Sequence, residues 1–261
     1  METPLRSIEI NYQTAELIPA PYSHKYSIRA TINRADELQV NFQIEYIDRE
    51  DLTEDEIWGE GFTGSDDFAW EGTLLPVWTN EIRSLGAKTE FYKSNRLANE
   101  AENQFWLSLE YKDQEPVLGK PKNREAWEYL SQELIQAIYE TAKLEAPLKL
   151  IYLKKLKDKS IQVEMNVFFS KRTVKMNLQI DNTEKSNEVR WDTLNPVLKL
   201  IYAGEFLAEK ATQKTPERPG NYINVGDGLW YEFGTSLVNP SGNNRFLNDI
   251  EKSLDEISGL S

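Results

Sequence analysis

The chain has 261 residues, no cysteine, a single histidine (His24) and a formal net charge of −13 at pH 7. This excludes disulfide frameworks, thiolate metal sites, cysteine nucleophiles and every mechanism that needs two histidines. An apolar fraction of 39%, with 7 Trp, 12 Tyr and 10 Phe to bury large areas, describes a folded chain of one large domain or two small ones.

The charge is unevenly placed. Residues 1–146 hold 28 acidic against 14 basic side chains, and residues 147–261 hold 15 against 16. An acidic half repels phosphates, so double-stranded nucleic acid is not an expected partner. No apolar run approaches the roughly 20 residues of a membrane helix. Met1-Glu2-Thr3-Pro4-Leu5-Arg6 lacks the basic-then-apolar pattern of a signal. A cytoplasmic protein with no membrane partner is the expectation.

In chain order, Arg6 to Tyr12 alternates apolar and polar residues, the period of a half-buried strand. Pro19 and Pro21 precede a second strand, Tyr26 to Ile32, and Ala35-Asp36-Glu37 reads as a tight turn. In a third strand Leu38, Val40, Phe42, Ile44 and Tyr46 form a dry face, with Gln39, Asn41, Gln43 and Glu45 on a wet one, as in an antiparallel meander. An acidic connection covers 48–67. Then Thr73 reads as an N-cap, Pro76 as first-turn proline and Gly86 as the stop of a helix carrying Leu74, Val77, Trp78, Ile82 and Leu85. Thr89 to Tyr92 and Gln104 to Tyr111 read as strands, with a loop bounded by Pro116 and Pro121. A long helix over 124–144 presents Trp127, Leu130, Leu134 and Ile138, and Pro147 ends it.

The order then restarts. Pro147-Leu148-Lys149-Leu150-Ile151-Tyr152 restates Pro4 to Glu9, Ser160 to Val163 restates Ser27 to Ala30, and Thr173 to Ile180 is a third strand. Thr193 is placed as the cap of a helix with Leu194, Val197, Leu198 and Ile201. Tyr222–Val225 and Leu229–Phe233 form a hairpin across Gly226-Asp227-Gly228. Arg245 to Ile257 is the last helix. Two blocks recur in the same order: Asn41-Phe42-Gln43-Ile44 with Trp70-Glu71-Gly72-Thr73-Leu74-Leu75-Pro76-Val77, and Asn177-Leu178-Gln179-Ile180 with Trp191-Asp192-Thr193-Leu194-Asn195-Pro196-Val197.

These matches predict an α+β protein of two tandem β-β-β-α-β-β-α repeats, residues 1–146 and 147–261. The repeats form a pseudo-two-fold internal dimer of mainly antiparallel sheets packed with helices. Asn41 should superimpose on Asn177 and Trp70 on Trp191. The order of elements is similar to that of the secretion-chaperone-like fold, with the 124–144 helix able to lead the second repeat. The likeness is of order alone, and no motif carries it.

No residue declares a chemistry. Trp70 and Trp191, like Trp106 and Trp230, could line a ligand pocket, but a repeated core must be packed twice, so core anchors are expected. Asn41 and Asn177, with Gln43 and Gln179, suit a polar ligand or a sheet interface, the interface being preferred. His24 has no serine or cysteine motif near it in sequence and reads as a surface residue. Gly59-Glu60-Gly61 and Gly226-Asp227-Gly228 read as turns rather than phosphate cradles, because each holds an acid where phosphate would sit. The eight Lys/Arg between Lys149 and Lys175 read as the lysine-rich outer face of an edge strand pair.

Ile44 to Trp70 spans 26 positions and Ile180 to Trp191 only 11, so the first repeat carries an insertion. A solvated linker has little use for Trp58 and Phe62. They are expected to anchor a partner while Asp51, Asp55 and Glu56 steer a basic surface, or else to fold back over the core. The functional expectation is a soluble, non-catalytic binding or adaptor protein, monomeric or homodimeric. Its partner would be another protein with a basic surface, and no cofactor, metal or catalytic residue is assigned. The alternative is a carboxylate-based enzyme or small-ligand binder using the groove between repeats.

Overall fold

A computed structural model describes residues 4–93, 101–181, 183–240 and 245–259. The chain divides into two compact units, Met1–Leu144 and Glu145–Ser261.

The first unit runs β1 (Leu5–Gln13), β2 (His24–Ile32), β3 (Leu38–Tyr46), α1 (Glu54–Gly59), β4 (Phe68–Leu74), α2 (Pro76–Gly86), β5 (Gln104–Tyr111), β6 (Val117–Gly119) and α3 (Arg124–Thr141). Its six strands form one antiparallel sheet in the order β4-β3-β2-β1-β5-β6. The alternation dictates the faces. Leu38, Val40, Phe42 and Ile44 are buried on one side of β3, while Gln39, Asn41, Gln43 and Glu45 are exposed on the other. The β2–β3 turn is set by Asn33, whose carboxamide oxygen accepts from the Ala35 and Glu37 N–H groups, and by Asp36 at a φ of 60°. Trp78 and Ile82 of α2, and Trp127, Leu134 and Ile138 of α3, are buried. The Trp127 indole N–H donates to Thr89 Oγ1 at 2.9 Å, so this fully buried ring is also satisfied.

The second unit runs β7 (Leu148–Lys155), β8 (Ser160–Phe168), β9 (Thr173–Ile180), β10 (Thr183–Arg190), α4 (Trp191–Tyr202), β11 (Glu205–Phe206), a 3-10 turn at Ala208–Lys210, β12 (Gly220–Asn224), β13 (Tyr231–Glu232), β14 (Leu237–Val238) and α5 (Phe246–Ser258). Its six-stranded sheet is ordered β10-β9-β8-β7-β12-β13, and β11 pairs with β14. Leu150, Tyr152, Val163, Met165, Val174 and Met176 of the sheet share a core with Trp191, Leu194 and Ile201 of α4 and Phe246, Ile250 and Leu254 of α5. The Gly226-Asp227-Gly228 hairpin is present, with Tyr222 opposite Glu232. Asp227 accepts from the Leu229 N–H and the Tyr231 hydroxyl, and burial together with that carboxylate pushes the Tyr231 phenol up to about 12.

The protein is thus α+β with mainly antiparallel sheets, but the expected order of elements needs correction. In each unit a fourth strand, β4 or β10, precedes the helix. Thr73 is not a cap. It lies on β4 opposite Gln39, and Leu75 precedes the helix without a side-chain cap bond. Pro76 forces this, because the residue before a proline is driven to extended backbone; Leu75 has ψ 158°. Thr193 is not a cap either. Helix α4 already starts at Trp191, and Pro196 lies inside it. Trp70 and Trp191 therefore stand on different element types and cannot superimpose. Thr89–Tyr92 forms no strand of its own, only a bridge from Phe91 to Pro121, while Val117–Gly119 within the expected loop is β6. The 124–144 helix ends at Thr141 and packs on α2 and β4, so it belongs to the first sheet. The lysine-bearing strands β7 and β9 are interior to their sheet, whose edges are β10 and β13.

Candidate functional site

The inserted connection is a built structure. Thr53 and Glu56 form a reciprocal capping box that starts α1, with Ile57 buried beneath it. Arg49 is its hub. The guanidinium donates to Pro21 O at 2.8 Å, to Thr63 O at 3.0 Å and to Asp66 Oδ2 at 3.0 Å. Its carbon also lies 4.2 Å from the Tyr46 ring centroid and 5.0 Å from that of Phe62. Asp66 further accepts from the Thr63 N–H at 2.8 Å and the Thr63 hydroxyl at 2.6 Å. Partial burial would raise the Asp66 carboxyl, but the Thr63 and Arg49 hydrogen bonds outweigh it and hold the group below the ordinary carboxylate range.

The two aromatic residues expected to act together are separated by this structure. Phe62 turns inward, edge-on to Tyr22 at 5.4 Å and Tyr46 at 5.5 Å. Trp58 points outward and is 58% exposed. Asp51, Asp55 and Glu56 are all exposed. The Glu56 carboxylate is engaged by the Thr53 backbone and hydroxyl, which lowers its pKa. His24 starts β2 with its ring near Tyr12, Tyr26 and Tyr46, and its Nδ1 lies 2.9 Å from Tyr22 O.

The tryptophans take four different places. Trp191 is buried in the second core, 5.1 Å from the Phe169 ring and 5.0 Å from the Arg172 guanidinium carbon. Trp230 is buried in a small separate cluster with Leu153 and Tyr222. Trp70 is half-buried on β4, its ring over Gly72, where a Cβ would lie 2.2 Å from it. Trp106 is half-exposed on β5, with Lys120 Nζ 5.6 Å from its ring centroid.

Trp106 stands on the wet face of the first sheet, where pairing aligns side chains in rows. One row crosses four strands as Trp106, Asn11, Ser27 and Gln43. The next crosses as Gln104, Gln13, Lys25 and Glu45. Short Ser27 between longer neighbours leaves a trough of about 260 Å³ lined by these two rows. Lys25 and Glu45 pair at 2.7 Å, so the only charges in the lining neutralise one another. Asn41 belongs to a second depression on the same face, larger at about 660 Å³ and more open, with Arg29, Gln39 and Glu71. Its counterpart Asn177 instead accepts from the Ser186 hydroxyl at 2.7 Å.

No protein-family model, no curated protein and no solved structure matches this chain. The site must therefore be read from its own chemistry. Among the described residues no group of three or more His, Cys, Asp or Glu is placed to hold a metal ion, and no helix is long and apolar enough to cross a membrane. The basic run in the second unit is largely engaged internally. Lys149 pairs with Glu164, Lys154 bridges Glu251 and Asp255 at 2.8 Å each, and Arg172 is buried. The trough was hidden from sequence reading because it depends on register. Gln13, Lys25 and Gln104 become neighbours only once three strands are aligned.

Proposed function

We propose that the protein is a non-catalytic binding or adaptor module built by internal duplication of an α+β unit, and that its partner is another protein with a basic surface. The duplication rests on the common strand order of the two sheets, since the matched tryptophans do not occupy equivalent places. The observation that carries the binding reading is Trp58, 58% exposed on a capped helix that a locked loop holds in place. A large aromatic side chain presented on rigid backbone loses little entropy on association, the property of an interface anchor. Asp51 and Asp55 lie around it on an acidic unit and would steer a basic partner. Phe62 serves this reading indirectly by fixing the platform. A cytoplasmic location and a monomeric or homodimeric state belong to the same reading.

The test compares wild type with Trp58→Ala and with Asp51→Asn/Asp55→Asn as immobilised baits. A partner retained by wild type, lost by Trp58→Ala and weakened at low salt by the double variant supports the reading. A partner profile unchanged by Trp58→Ala refutes it.

A second reading is favoured by the trough on the first sheet. Its lining holds one carboxylate, Glu45, tied to Lys25, and is otherwise rich in carboxamides. Carboxamides bind polar ligands without exchanging protons, so this lining fits a small-ligand binder better than a paired-carboxylate enzyme.

A further inference from the structure

We propose that the trough on the outer face of the first sheet, walled by Trp106, binds one or two rings of a neutral saccharide. The inference rests on the small-ligand reading of this trough and does not depend on protein docking through Trp58.

Four observations select the ligand class. The first is charge: Lys25 and Glu45 pair at 2.7 Å, leaving a lining with no net charge to attract an ionic ligand. The second is the hydrogen-bonding inventory. Asn11, Gln13, Gln43 and Gln104 each carry an amide acceptor and two donors. Vicinal hydroxyls, each both donor and acceptor, complement such a set. Among the described residues, no protein group takes up the carboxamides of Gln13, Gln43 or Gln104. The third is Trp106, whose flat apolar surface suits the C–H face of a pyranose ring, and whose ring centroid lies 5.6 Å from Lys120 Nζ, outside the lining. The fourth is size. At about 260 Å³ the trough falls below the range of drug-sized pockets, which limits the occupant to one or two rings.

The register explains why all four occur together. Asn11 lies opposite Trp106 on one side and opposite Ser27 on the other, so the amide, the indole and the smallest floor residue share one row. A ring stacked on Trp106 lies over Asn11 and extends toward the space above Ser27, with the carboxamides of the adjoining row along its edge.

The experiment is saturation-transfer difference NMR on the full chain with maltose, cellobiose, lactose and N,N′-diacetylchitobiose, with adenosine as a nucleobase control. Titration calorimetry follows for any sugar that responds. Transfer to the ring protons of at least one disaccharide is expected. Trp106→Ala should weaken binding about tenfold or more, the order expected when an aromatic stacking platform is removed. Ser27→Tyr, which fills the trough without removing any contact beneath the sheet, should abolish it. Trp58→Ala should leave it unchanged, which separates this site from the docking loop. The proposal is overturned if no saccharide responds, if adenosine alone responds, or if binding survives Ser27→Tyr in a folded protein.

Discussion

Arg49 shows how one side chain can specify a segment. Its side chain is 12% exposed and meets two carbonyl oxygens, one carboxylate and two aromatic rings. Removing it strands those acceptors, so Arg49→Ala should cost about 2–4 kcal/mol. The check is denaturant unfolding, with hydrogen exchange in residues 46–67 rising first. Asp66 gives the same clasp a pH dependence. Its folded pKa is depressed, so its contribution is present in full above the ordinary carboxylate value of about 4 and is lost as pH falls through the depressed value. Loop exchange protection should therefore hold at neutral pH and fall only under acid conditions. The tryptophans divide by burial. Trp191→Ala and Trp230→Ala, both in cores, should each cost about 3–5 kcal/mol in denaturant melts. Trp106→Ala, on a wet face, should cost much less.

At the scale of elements, the inserted loop is both cover and platform. Ile57 and Phe62 turn in while Trp58 turns out. Replacing residues 49–63 by a Gly-Ser link should therefore lower the melting midpoint, by roughly 5–15 °C, through loss of buried apolar contacts. Such a drop says nothing against an outward role for Trp58, and only the point substitution separates the two. The end of α4 is tightly held for another reason. A Cβ at Gly204 would lie 2.7 Å from Leu237 and 2.9 Å from Phe246, both fully buried. Gly204→Ala should destabilise the second unit by about 1–3 kcal/mol, read by thermal unfolding. Strand β10 shows how an edge is kept from pairing: it is largely exposed and alternates Glu184, Lys185, Glu188 and Arg190 among its polar residues.

At the scale of the whole molecule, each unit has its own sheet, helices and buried core. Residues 1–144 and 145–261 expressed apart should each give dispersed amide spectra and a cooperative melt. What the sequence alone determined was whatever depends on neighbours along the chain: the wet and dry faces of β1 to β3, the apolar stripe of α3 with Trp127, and the turn at Gly226-Asp227-Gly228. Period and turn chemistry are local, so they can be read before folding. What only the tertiary structure decided was whatever depends on residues far apart meeting. Phe68 to Leu74 became a strand because β3 offered it partners, and the same Trp-to-Pro motif became helix at Trp191. Phe62 was separated from Trp58 by Arg49 reaching back to Pro21. The saccharide trough exists because antiparallel register places Trp106, Asn11, Ser27 and Gln43 in one line across four strands, a relation between distant residues that no local pattern encodes.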